Sequence, residues 1–197
     1  MTITASQVAE LREKTGLGMM ECKNALVEAD GNEAKAMDVL KKKGLAKVAK
    51  RADRETNHGI IESYVHANGK VGVMVEVLAE TDFVAKNDEF KEFAHDVALQ
   101  IAAMKPTYIQ PSEIPAEELA KEKEAYSAEM ASSGKPADII AKIVEGKLGK
   151  YYSEICLLNQ PFVKDDSKTI EDLLNDLIAK IGEKIVVARF CRFEIGE

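Results

Sequence analysis

The chain has no tryptophan, only three cysteines, and little aromatic content, 6% of 197 residues. Cys22, Cys156 and Cys191 stand far apart and form no CxxC or Cys/His spacing. A structural zinc site is therefore not expected, and an odd count reads as free thiols in a reducing compartment. No apolar run approaches the ~20 residues that span a bilayer. The Met1-Thr2-Ile3-Thr4 start lacks the charged-then-apolar pattern of a secretory signal. A cytoplasmic protein without membrane contact is expected. Also missing are a Gly-rich phosphate loop, a metalloprotease helix and a nucleophile elbow. Gly44-Leu45-Ala46-Lys47 lacks the spacing of the first. His58, His66 and His95 fall on three different elements and read as surface or turn residues rather than catalytic bases. No catalytic residue, metal or cofactor is expected.

Positive charge is also short overall. The net charge is −7, which argues against direct nucleic-acid binding. It is unevenly spread: residues 1–55 carry eleven Lys/Arg against nine Asp/Glu, and the rest sixteen against twenty-five. Lys41, Lys42, Lys43, Lys47, Lys50, Arg51 and Arg54 make a local basic cluster, either a solvated helix face or a contact face for an acidic partner.

Residues 1–44 read as three short helices. Thr4 and Gln7 match a capping box, Val8 and Leu11 follow at helical spacing, and Gly16 ends the first helix. The second carries Met19, Cys22, Ala25, Leu26 and Ala29 on one side. Asn32 caps the third, which bears Ala36, Met37 and Leu40 and is expected to end at Gly44. A core this small should lean on a partner or on the rest of the chain. Residues 45–57 read as a linker that can continue the helix in its first half.

The period then changes to two. Ile60–Val65 and the alternating valines Val71, Val73, Val75 and Val77 read as strands joined at Asn68-Gly69. Phe90, Phe93, Ala94, Val97, Ala98 and Ile101 form the stripe of a helix capped by Asn87 or Asp88 and ended at Lys105-Pro106. About residues 112–152, two helices separated by Ser132-Ser133-Gly134-Lys135-Pro136 read as a helical hairpin with a thin apolar stripe that projects from the body. Glu154–Leu158 reads as a short strand, Gln160–Val163 as a turn, Ile170–Ile181 as a helix ended by Gly182, and Ile185–Ile195 as the last strand. The fold class is α+β. An N-terminal helical domain with linker (1–55) precedes a core and dimerisation domain (56–197), a small antiparallel sheet with helices on one face.

Thr81-Asp82-Phe83-Val84 sits where the strand pattern stops and a helical one starts. Thr81 or Asp82 can cap the helix with Phe83 in the core beneath it. Alternatively Asp82 and Phe83 stand outward and meet a partner. A carboxylate beside an aromatic wedge suits a partner site that holds a metal or phosphate, because the carboxylate repels phosphate or competes for the cation's surroundings. Cys191 likewise is either a small core residue or, facing outward, a contact for another chain.

Several stretches together resemble the bacterial translation elongation factor Ts family, over essentially the whole chain. They are Leu11-Arg12-Glu13-Lys14-Thr15-Gly16, Gly18-Met19-Met20-Glu21-Cys22-Lys23 and Thr81-Asp82-Phe83-Val84-Ala85-Lys86. Ser133-Gly134-Lys135-Pro136, Gln160-Pro161-Phe162-Val163 and Arg192-Phe193-Glu194 support them. The resemblance implies a ubiquitin-associated-like N-terminal domain, a sheet-and-helix core and a protruding helical hairpin. It implies a guanine nucleotide exchange factor that binds elongation factor Tu, GDP-bound or nucleotide-free. Met19, Met20, Lys23 and His66 would meet that partner, and Thr81, Asp82, Phe83 and Val84 would dislodge its Mg2+. Longer members hold two related core subdomains, whereas this chain has room for one. It resembles the short form, which implies a homodimer with two Ts and two Tu. An adaptor built on a ubiquitin-associated-like bundle, without exchange activity, is the rival reading.

Overall fold

The computed structural model describes residues 3–131 and 136–196. Of the predicted break Ser132–Pro136, all but Pro136 lies outside them. A three-stranded sheet is built from β1 (His58–Val65), β2 (Val71–Ala79) and β5 (Ile185–Glu194), in the order β1-β2-β5, and it is antiparallel. A two-stranded antiparallel sheet pairs β3 (Pro161–Phe162) with β4 (Asp165–Thr169). The α+β expectation holds. The chain forms two compact units, one from Met1–Ile61, Glu76–Ala94 and Asp172–Ala188, the other from Glu62–Val75, His95–Glu171 and Arg189–Glu197.

In the first unit, α1 (Ala5–Thr15) starts with the expected reciprocal cap between Thr4 and Gln7 and ends at Gly16 in the left-handed region, φ 66°. α2 (Met19–Glu28) and α3 (Glu33–Ala49) follow, the latter capped by the Asn32 side chain accepting from the Lys35 N–H at 3.0 Å. Val8, Leu11, Cys22, Ala25, Leu26, Ala29, Ala36 and Leu40 form the core of this bundle. Met19 and Met37 do not join it; both are exposed. α3 also does not stop at Gly44 but runs to Ala49. Gly44 is buried in mid-helix because α8 (Ile170–Ile181) passes over it: a Cβ at position 44 would stand 3.2 Å from that of Ala179. Glycine is kept here for close approach, at the cost of helix propensity. Lys41 adds an ion pair to Asp172 at 2.8 Å. The small bundle thus leans on α8, as its size requires.

β2 buries Val73, Val75, Val77 and Ala79 and leaves Met74 exposed, the alternation of a strand covered on one face. Two residues beyond Ala79 the chain enters α4 (Asp82–Ala85), then α5 (Asp88–Met104). The Asn87 side-chain amide oxygen accepts from the Glu89 N–H at 2.8 Å, making Asn87 the cap. All six predicted stripe residues of α5 are buried.

In the second unit, the Asn68-Gly69 turn closes with the His66 N–H donating to the Val71 carbonyl at 2.9 Å. α6 (Ala116–Ala131) and α7 (Ala137–Ile155) form the helical hairpin. Its apolar seam is thin, as expected: of the α7 residues Leu148 alone is buried. Polar ties supplement it. Glu118 accepts from the Tyr108 hydroxyl at 2.8 Å and the Tyr151 hydroxyl at 2.7 Å, and Lys147 pairs with Glu129. Residues Glu154–Leu158 are not a strand. α7 continues through Ile155, Cys156 makes one isolated parallel bridge to Tyr108, and Leu157–Asn159 is a 3-10 turn. Buried Gln160 explains the sharp exit: its amide donates to the Met104 and Glu154 carbonyls, and its oxygen accepts from buried Gln100 at 3.1 Å. Two polar side chains buried together need such complete pairing.

Candidate functional site

Phe83 is the most exposed large apolar side chain of the described residues, 81% accessible, on a four-residue helix. The arrangement follows from local sequence. Val84 and Ala85 are buried and anchor the inner side of α4, so the preceding Asp82 and Phe83 are turned outward. The core reading of Phe83 is therefore wrong. Burying it would save ~1.5–3 kcal/mol of apolar exposure that the free chain leaves unclaimed.

Asp82 is exposed and accepts from Lys86 Nζ at 2.7 Å, one helical turn on. This hydrogen bond and the charge behind it hold the Asp82 carboxyl below its ordinary range. Thr81 is the N-cap residue by position, yet its hydroxyl makes no capping bond. It donates instead to Glu183 Oε1 at 2.8 Å, while the Thr81 N–H donates to Glu183 Oε2 at 3.0 Å. The neighbouring Glu80 carboxylate accepts from the Lys184 N–H at 2.6 Å and from Arg54 Nη1 at 3.0 and 3.2 Å. Burial pushes the Glu80 carboxyl up, but the Lys184 and Arg54 bonds outweigh it and the net shift is downward. Lys184 Nζ donates back to the Ala52 and Arg54 carbonyls at 2.6 and 2.8 Å. Sequence reading singled out neither Glu80 nor Glu183. They belong to separate segments more than a hundred residues apart, and no local pattern marks such a pairing.

Met19 and Met20 open α2 in the same unit and are 56% and 64% exposed, with Lys23 exposed one turn on. The chain folds this way because Cys22, Ala25 and Leu26 take the inward face of α2, leaving the first turn without core neighbours. His66 belongs to the second unit. It is exposed at the end of β1, its Nδ1 3.0 Å from the Tyr64 hydroxyl. Cys191 is exposed on β5, with Phe193 and Ile195 beyond it, so its core reading also fails. The cause is a change of parity within β5. Ile185 and Val187 are buried, but from Arg189 onward the odd-numbered residues are exposed, and Arg192 instead reaches the Ala102 carbonyl of α5. Cys156 is the opposite case: burial first, then nearby Glu113 and Glu118, push its thiol up to about 11.

A family model described as elongation factor TS matches residues 33–197. The chain belongs to the elongation factor Ts family. An elongation factor Ts of Oleidesulfovibrio alaskensis is 56% identical over 194 residues, covering 98% of each chain. That of Fervidobacterium nodosum is 55% identical over 197 residues and covers both chains fully. That of Caldanaerobacter subterraneus subsp. tengcongensis is 54% identical over 195 residues, 99% of this chain and 98% of its own. Family membership makes the chain a translation elongation factor, and full-length coverage of such relatives accords with a short-form elongation factor Ts. No helix among the described residues is long and apolar enough to cross a membrane.

Proposed function

We propose that this chain is the guanine nucleotide exchange factor of elongation factor Tu, with Thr81, Asp82, Phe83 and Val84 as the segment that disturbs the partner's Mg2+ and phosphate site. The observation that carries this reading is an almost fully exposed phenylalanine beside a carboxylate, on a helix too short to be a packing element. Phe83 supplies apolar area for a partner pocket. Asp82 brings negative charge toward phosphate and cation. Val84 holds the pair outward from the core. Met19, Met20 and Lys23 at the start of α2, and His66 in the second unit, add further contact with Tu. The functional division then runs between residues 1–55 and 56–197.

No covalent chemistry and no cofactor of its own enter the scheme. The chain binds Tu with GDP, GDP leaves, and GTP entry displaces the chain. Linkage makes the effect reciprocal: whatever factor weakens GDP on Tu also weakens this chain on Tu–GDP. Burial of Phe83 is worth roughly ten- to a hundredfold at ~1.4 kcal/mol per decade. Loosening a tightly held nucleotide further requires the wider interface, while Phe83 fixes where the distortion falls.

The chain would act in the cytoplasm as a homodimer, two copies with two Tu. Val65, Met74, Cys191 and Phe193 on strands of one unit, with Ile195 just past the end of β5, are exposed and offer apolar area suited to a second copy. Release of fluorescent GDP from Tu, with and without the chain, tests the main reading. Acceleration supports it. Tight binding with an unchanged release rate would instead support the adaptor.

A further inference from the structure

We propose that Glu183, with Glu80, is a positioning residue for the exchange segment: a two-carboxylate clasp that fixes the base of α4 and thereby makes Phe83 an effective wedge. The inference rests on the exchange reading. Only Glu80 and Thr81 separate the end of β2 from α4, and both are gripped by the turn that precedes β5. The grip is reciprocal. The side chain of residue 80 takes the backbone N–H of residue 184, and the side chain of residue 183 takes the backbone N–H of residue 81.

Thr81 shows where its hydroxyl is engaged. A threonine at an N-cap position ordinarily turns its oxygen to the helix N–H groups; here the hydroxyl serves Glu183, and the cap bond is absent. Hydrogen bonds to a carboxylate are the stronger kind. Arg54 and the Lys184 ammonium, bound to the Ala52 and Arg54 carbonyls, extend the clasp to the segment following α3. A wedge on a loose stem would spend binding energy on ordering its own base, whereas a fixed stem transmits contact into distortion of the partner.

The test is stimulated GDP release from Tu, measured over a range of concentrations of the full chain. Glu183→Ala should lower the maximal release rate about three- to tenfold and move the half-saturating concentration less than about twofold. Glu183→Gln should stay within about twofold of the parent, since an amide oxygen still accepts from the Thr81 N–H and its NH2 can donate to the hydroxyl. The Glu183→Ala, Phe83→Ala double variant should be no slower than Phe83→Ala alone, because the clasp acts through Phe83. If Glu183→Ala does not fold, Glu80→Ala decides: it removes the arm that takes the Lys184 N–H, and it should slow release with the same dependence on Phe83. A folded Glu183→Ala chain with the parental rate, or effects of Glu183→Ala and Phe83→Ala that multiply, overturns the clasp alone. A parent chain that fails to accelerate release, or a Phe83→Ala chain as fast as the parent, overturns the exchange segment and the clasp together.

Discussion

Gly59 on β1 lies directly against Val77 on β2: a Cβ added at residue 59 would stand 2.2 Å from the Val77 carbonyl oxygen and 2.9 Å from the Leu78 Cα. These are backbone atoms of the central strand, which cannot swing aside as a flexible side chain can. Gly59→Ala must therefore displace β1 itself, and overpacking of this kind costs about 1–3 kcal/mol. Urea unfolding is the check. A midpoint equal to the parent's would mean that β1 yields freely at its first residues.

Phe83 presents the converse case. It is 81% exposed, so it contributes little to folding, and Phe83→Ala should leave stability within about 0.5 kcal/mol. GDP release from Tu should nonetheless slow by about tenfold or more, with complex formation largely retained. Thermal melts and stopped-flow release on the same samples separate the two effects. Loss of stability would restore Phe83 to a packing role, and an unchanged rate would remove the wedge.

Much of the fold was readable from local pattern. The Thr4–Gln7 box, the Asn32 cap, the alternating valines of β2 and the stripe of α5 are signals carried by neighbouring residues, and each formed as expected. The misreadings share a different cause. Gly44 looked like a helix stop, but Ala179, far along the chain, requires a small residue there. Cys156 looked like part of a strand, but its bridge to Tyr108 and the bonds of Gln160 to Gln100 and Met104, all distant in the chain, shape that segment. At Thr81–Val84 position alone left core and partner contact open, and burial of Val84 with exposure of Phe83 separated them. The Glu80 and Glu183 bonds are tertiary and left no local trace.

Met19 and Met20 are exposed above a bundle whose core lies on the other side of α2. Replacing both by Ser should leave the bundle folded, with stability changed by less than about 1 kcal/mol. Binding to Tu should weaken by about tenfold or more, since two apolar contacts are removed from the interface. Calorimetric titration into nucleotide-free Tu reads the affinity. An unchanged Kd would make these methionines ordinary solvent-facing residues and move the N-terminal contact elsewhere.

Phe193 is 73% exposed, and Val65, Met74 and Ile195 of the same unit are exposed too. Phe193→Glu should convert a dimer to monomers, because a carboxylate facing its symmetry mate in an apolar contact is both desolvated and repelled. Light scattering gives the mass directly. A parent chain that is monomeric at tens of micromolar would dispose of the homodimer, and a dimer surviving the substitution would shift the interface away from β5.

Glu194 offers a pH test within the second unit. Hydrogen bonds from Lys105 and Arg192, the latter at 2.6 Å, hold its carboxyl down to about 2, from an ordinary 4.5. A depressed folded-state pKa means that the folded chain keeps the carboxylate charged where the unfolded chain would protonate it. The contribution is therefore fully present above about pH 4.5 and is lost as pH falls toward about 2. Glu194→Gln removes it at every pH. Melting temperatures of parent and variant should differ at neutral pH, converge between about pH 4.5 and 2, and meet at the acid end. Parallel curves across that window would show that Lys105 and Arg192 do not stabilise the charged form, and that the end of β5 is held to α5 by other contacts.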